Sequence, residues 1–178
     1  MSQQPLLDFL HTLPAFIAKA PPVIGVSEQA QVKVVLQLDR TLNNIFIDPK
    51  LLKSPLDLRA RILEAIEDAQ QFRERQVQLI ISRHACIANL SLWDVEGTLL
   101  AIKGQQAAAS LNAQGCGRNH LVSVVRGQRG EIDRLVLNSV RVCDSKELER
   151  SIVEAAKQGH EKIRDLQRTW PFPELTLM

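Results

Sequence analysis

Residues 32–72 read VKVVLQLDRTLNNIFIDPKLLKSPLDLRARILEAIEDAQQF, and residues 122–162 read VSVVRGQRGEIDRLVLNSVRVCDSKELERSIVEAAKQGHEK. A shift of 90 positions lays one on the other without a gap. Val32, Val34, Val35, Leu58, Ile62, Glu64 and Ala65 then meet Val122, Val124, Val125, Leu148, Ile152, Glu154 and Ala155. Seven identities in 41 positions are few, but strand alternation, polar turn, helix cap and apolar helix face recur in register. Such a repeat lets one chain build what a single-unit protein builds as a homodimer.

In the first copy, Val32, Val34, Leu36 and Leu38 alternate with Lys33, Val35 and Gln37, the period of a half-buried strand. Asp39-Arg40-Thr41 reads as a turn, and Leu42, Ile45 and Ile47 as the returning strand, ended by Asp48-Pro49 because proline cannot donate to a ladder. Ser54 then reads as a helix N-cap whose hydroxyl accepts a backbone N–H, with Pro55 at the first helical position and Asp57 against the positive helix end. Leu58, Ile62, Ala65, Ile66 and Ala69 follow at helical spacing, and Phe72, Val77, Ile80 and Ile81 carry the pattern past residue 80. The second copy repeats this plan: strand Leu121–Val125, turn Gly127–Gly130, and a return strand carrying Ile132, Leu135 and Leu137. Asp144 is its N-cap with Glu147 three residues on, and Leu148, Ile152, Ala155, Ala156, Gly159, Ile163 and Leu166 give its helix an apolar stripe.

Outside the repeat, Pro5–Ala20 reads as a short apolar helix bent or broken at Pro14, and Val23–Ser27 as a first strand with Gly25 at a bulge or close contact. Leu92, Val95, Leu99, Leu100 and Ile102 fit another helix, in which Gly97 is a weak point; Ala107–Leu111 either extends it or begins a strand. Gln114–Gly117 reads as a turn, and Trp170-Pro171-Phe172-Pro173 as the start of an irregular tail.

The chain has 178 residues, 45% of them hydrophobic and 24% charged, the composition of a globular protein. Its net charge of +2 falls evenly on the two halves, so contact with a polyanion requires local clustering of basic residues. Cys86, Cys116 and Cys143 lack framework spacing and point to free thiols in a reducing, cytoplasmic compartment. Asp8 and His11 interrupt the apolar run of the first helix and no basic residue precedes it, so it reads as amphipathic rather than as a signal peptide. No stretch reaches the length of a membrane span.

Val32-Lys33-Val34, then Ile47-Asp48-Pro49-Lys50-Leu51-Leu52, then a capped helix with Ala65 and Asp68-Ala69, together resemble the YbaB/EbfC family of bacterial nucleoid-associated proteins. Gly25 and Ser27 fit that family's first strand. The second copy is similar but more degraded, keeping Val122, Gly127, Leu135, Leu137, Asp144, Leu148 and Ile152–Ala156, with Asn138-Ser139 in place of Asp-Pro. The resemblance implies an α+β fold in which each unit is a helix, a three-stranded antiparallel meander and a long helix. The units would occupy residues 1–90 and 91–178 and form an intramolecular pseudo-dimer. It further implies low-specificity binding of duplex DNA, in the nucleoid, by projecting helices.

The expected DNA contacts are Arg59, Arg61, Arg73, Arg75 and Arg83 on the first long helix, and Lys157, Lys162, Arg164 and Arg168 on the second. The alternative for these residues is a solvated face paired with Glu64, Glu67, Asp68, Glu154 and Glu161. His84 and Cys86, with Cys116 and His120, lack a strong zinc signature. No phosphate loop or nucleophile elbow is present, so neither catalysis, cofactor nor metal is expected. The second functional reading is an adaptor or chaperone-like subunit that meets a protein partner through the apolar first helix or the C-terminal tail.

Overall fold

The computed structural model describes residues 4–106, 112–127, 129–138, 144–170 and 175. Within them lie four α-helices and two three-stranded antiparallel sheets, an α+β architecture. Helix α1 (Gln4–Lys19) leads into strands β1 (Val23–Val26), β2 (Val32–Leu36) and β3 (Leu42–Ile47), then the long helix α2 (Pro55–Ile87). Helix α3 (Leu92–Gln106) is followed by β4 (Ala113–Cys116), β5 (Val122–Arg126), β6 (Ile132–Leu137) and helix α4 (Ser145–Gln167). Both sheets are simple meanders, β1-β2-β3 and β4-β5-β6.

The 90-residue offset governs the backbone as well as the sequence. Val23 pairs with Leu36 and Val32 with Ile47; Ala113 pairs with Arg126 and Val122 with Leu137. A register shift interrupts both ladders at equivalent points, Val35/Leu36 and Val125/Arg126. Even single side-chain bonds recur: Asp68 Oδ2 accepts the Val26 N–H at 2.9 Å, and Gln158 Oε1 accepts the Cys116 N–H at 2.7 Å. Each long helix covers the first two strands of its own sheet and reaches the third strand of the other, α4 against β3 far more extensively than α2 against β6.

One continuous apolar core runs through both halves, from Phe9 to Leu175. Strand β2 buries Val32, Val34 and Leu36 and exposes Lys33. Along α2 the buried residues change spacing. From Ala69 they recur every fourth position, through Arg73, Val77, Ile81 and Ala85. A four-residue step overshoots the turn by about 40°, so the buried line winds round the helix from the sheet toward α1 and α3, both of which pack on α2. Phe16 of α1 stacks on His84 with ring centroids 3.8 Å apart.

Several sequence readings need correction. Helix α1 continues through Pro14, where its buried face (Phe9, Leu10, Leu13, Ile17) holds it on the core. Gln114–Cys116 belongs to a strand rather than a turn, because Gly115 allows the backbone to lie against α4. The Ser54 hydroxyl does not cap α2; it donates to Asp57 Oδ2 at 2.5 Å. Asp144 does cap α4, accepting the Glu147 N–H at 2.7 Å. Ala107–Leu111, Cys143 and Pro171–Pro173 lie outside the described residues.

Candidate functional site

Helix α4 gathers the basic residues most clearly. At about 100° per residue, Lys146, Arg150, Lys157, Arg164 and Arg168 fall within about 40° of one another round the axis and span about 33 Å. All five are exposed. Arg150, Lys157 and Arg164 are spaced by seven residues, so each lies almost directly above the last. Lys146 pairs with Glu149 at 2.8 Å and sits over the Phe46 ring, and Arg168 pairs with Asp165 at 3.1 Å. The adjacent Glu154 is bound to Arg118 at 2.8 Å, which removes one acidic charge from competition with the stripe. Glu161 remains exposed beside it.

The basic residues of α2 do not converge in this way. Arg75 and Arg83 are exposed and about 80° apart round the helix, while exposed Arg59 lies about 160° from Arg75. Arg61 is held by Glu28 at 2.8 Å and Glu64 at 2.9 Å, and these bonds raise its pKa and lower that of Glu64. Arg73 departs from the expected surface role. It is fully buried, donates from Nε to Leu38 O and from Nη1 to Glu74, and cannot reach a phosphate. Lys162 of α4 is exposed but off the stripe, donating to Gln114 O at 2.7 Å.

Sequence reading thus misses Lys146 and Arg150, although their spacing to Lys157 and Arg164 was visible. It also misses a second cationic feature, which no periodicity reveals. Arg40, Arg73 and Arg126 are all buried, and Arg73 of α2 and Arg126 at the end of β5 both donate to carbonyls of the β2–β3 turn that carries Arg40. Arg126 stands on β5 where the first copy has Leu36. It donates from Nε to Ala156 O at 2.8 Å, and from Nη1 to Arg40 O and Gly130 O, tying the halves together. Arg40 and Arg73 share one oxygen, Glu74 Oε1, at 2.6 and 2.8 Å. Burial lowers the pKa of all three arginines, Arg73 to about 9 and Arg126 to about 10, so they stay protonated at neutral pH. His160, nearby on α4, is held neutral by burial and by the Arg126 charge, with its pKa pushed down to about 4.

No protein-family model matches the chain, and no curated protein matches it. Among the described residues no cluster of His, Cys, Asp or Glu could hold a metal ion, and no helix is long and apolar enough to cross a membrane.

Proposed function

We propose that this chain is a non-enzymatic, nucleoid-associated DNA-binding protein of low sequence specificity. We read it as a YbaB/EbfC-like pseudo-dimer whose two units, residues 1–90 and 91–178, lie in one polypeptide. The recurrent strand register and the matching bonds of Asp68 and Gln158 support the tandem-unit reading. The observation that carries the DNA reading is the exposed basic stripe of α4. Backbone phosphates require no more than cations at suitable intervals, and such contacts position a protein without reading base sequence.

The duplex lies along α4 rather than between two equivalent arms. Helix α2 scatters its exposed arginines and buries Arg73, so it offers no matching stripe. Binding should weaken steeply with salt, with log K falling against log[salt] at a slope of about −0.9 per phosphate contact. Replacing Arg150, Lys157 and Arg164 together by alanine should flatten that slope by roughly three units. Gel shifts over a salt series test this. Absence of binding at low salt, or a triple variant that binds as well as the parent, rejects the reading.

One observation favours the adaptor reading instead. Ile87, Trp93 and Leu100, at the α2–α3 end of the molecule, are 71, 84 and 69% exposed. A partner protein would dock there rather than on α1, whose apolar face is already buried. Stoichiometric recovery of a protein partner that is lost with Trp93→Ser, together with no affinity for DNA, decides for it.

A further inference from the structure

On the face of the first sheet turned from the core, Lys33 of β2 and Phe46 of β3 are cross-strand partners, and both are exposed. The Phe46 residue is 45% exposed, and the Lys146 ammonium at the start of α4 stands 5.7 Å from its ring centroid. Two adjoining hollows, of about 420 and 550 Å³, share Phe46, Lys146 and Glu149. The first also takes in Lys33, and the second Asn43, Asn44 and Arg150. Both volumes fall within the ~300–1,000 Å³ of small-molecule sites. Lys146 and Arg150 are the first two members of the α4 stripe, about 6 Å apart along the helix, so the hollows are continuous with it.

The hollows contain three carboxylates as well as three cations. Glu149 is paired with Lys146 and Glu154 with Arg118, while Asp48 accepts the Lys50 N–H as a cap. Exposed Lys33 and Arg150 are then set against Asp48 alone. That near balance suits an uncharged, flat group on the Phe46 ring, with any attached phosphates carried by the stripe beside it. Asn44 accepts the Ile45 N–H through Oδ1, which leaves its amide N–H groups for the edge of such a group. The second unit has no counterpart: 90 positions from Lys33, Phe46 and Lys146 stand Ser123, Val136 and Leu56. An aromatic ring half in water, absent from the other copy, is not required by the fold the copies share.

We propose that this end of the α4 stripe takes one unpaired nucleotide, its base stacked on Phe46 and its phosphates on Lys146 and Arg150. The inference rests on the DNA reading of α4 and deepens it: duplex with a single-stranded end is preferred to fully paired duplex. Every base has a π-face, so such a stack adds affinity without adding sequence preference.

Fluorescence anisotropy of the full chain tests this, with a blunt duplex and the same duplex carrying a short single-stranded thymidine tail. The tailed duplex should bind about fivefold tighter or more, the low end for one base–aromatic stack. Phe46→Ala should bring the ratio of the two affinities to about one. Phe46→Trp should keep the ratio and add a quenching of tryptophan emission by the tailed duplex that the parent does not show. The exposed ring makes either change tolerable to the fold. Equal affinity of the parent for both duplexes, or a preference that survives in Phe46→Ala, overturns the proposal and leaves the DNA reading standing. Failure of the parent to bind either duplex at low salt overturns both.

Discussion

Glu149 stands where the first half has Arg59, and the difference is structural. Strand β3 is the outer strand of its sheet, and the Ile47 N–H on its free edge is accepted by Glu149 Oε1 at 2.9 Å. Glu149 is buried, so its loss leaves a donor inside the protein without a partner. Glu149→Leu should cost about 1–3 kcal/mol, and Glu149→Gln, which keeps an acceptor, less than about 1 kcal/mol, read from urea unfolding midpoints. His160 makes a second prediction. Its folded value of about 4 lies below an unfolded value of about 6.5. The unfolded chain therefore takes up a proton that the folded chain refuses. The stabilisation is complete above about pH 6.5 and is lost as pH falls toward 4, on the order of 1.4 kcal/mol per pH unit. His160→Gln should lose less stability than the parent between pH 7 and 4.5, in denaturant titrations at the two pH values. Arg40 also shows what sequence leaves out. It has φ 70° in the β2–β3 turn, where the equivalent residue is Gly130 at 77°. The turn was legible, but the arginine's reason for being there is Glu74 on α2, which the buried Arg40 side chain reaches.

Strand and helix identity mostly followed from local pattern because most elements have one face in the core and one in water. Where the backbone meets another backbone, pattern is uninformative. A Cβ on Gly25 would lie 2.2 Å from Ala65 O, and one on Gly115 would lie 1.9 Å from Ala155 O. Both are main-chain contacts between a strand and its covering helix, and neither can yield locally. Gly25→Ala and Gly115→Ala should each destabilise by about 3 kcal/mol or more. Gly97, exposed in α3 with nothing within 4 Å, is the contrast. Gly97→Ala should stabilise by about 0.5–1 kcal/mol. Thermal melts of the three variants provide the check, and similar behaviour of Gly25 and Gly97 variants would contradict it. Gly25 reads in sequence as a bulge or a close contact and Gly115 as part of a turn; only the packing shows that both are close contacts. The basic helix faces were legible as composition but not as geometry. The same reading placed Arg73 on the surface, because an arginine at a buried helical position is not distinguishable locally from one a turn away.

At the scale of the molecule, each long helix bridges the two sheets, and the apolar core is continuous between them. The chain should therefore unfold as one unit. Amide exchange in rising urea should show Val34 of β2 and Val124 of β5 losing protection at the same free energy of opening. Earlier release of β5 would refute the shared core. The asymmetry is equally informative. Helix α2 has 33 residues and α4 has 23, and the extra length of α2 is occupied by α1 and α3 rather than projecting as a bare arm. The sequence by itself determined the repeat, its 90-residue spacing, and the kind and order of most elements, because periodicity and capping are local consequences of which face meets water. The tertiary structure alone decided which arginines are surface and which are interior, and how the halves hold one another. Those outcomes depend on partners such as Glu74, Ala156 O and Ile47 N–H, which lie far away along the chain and are brought close only by packing.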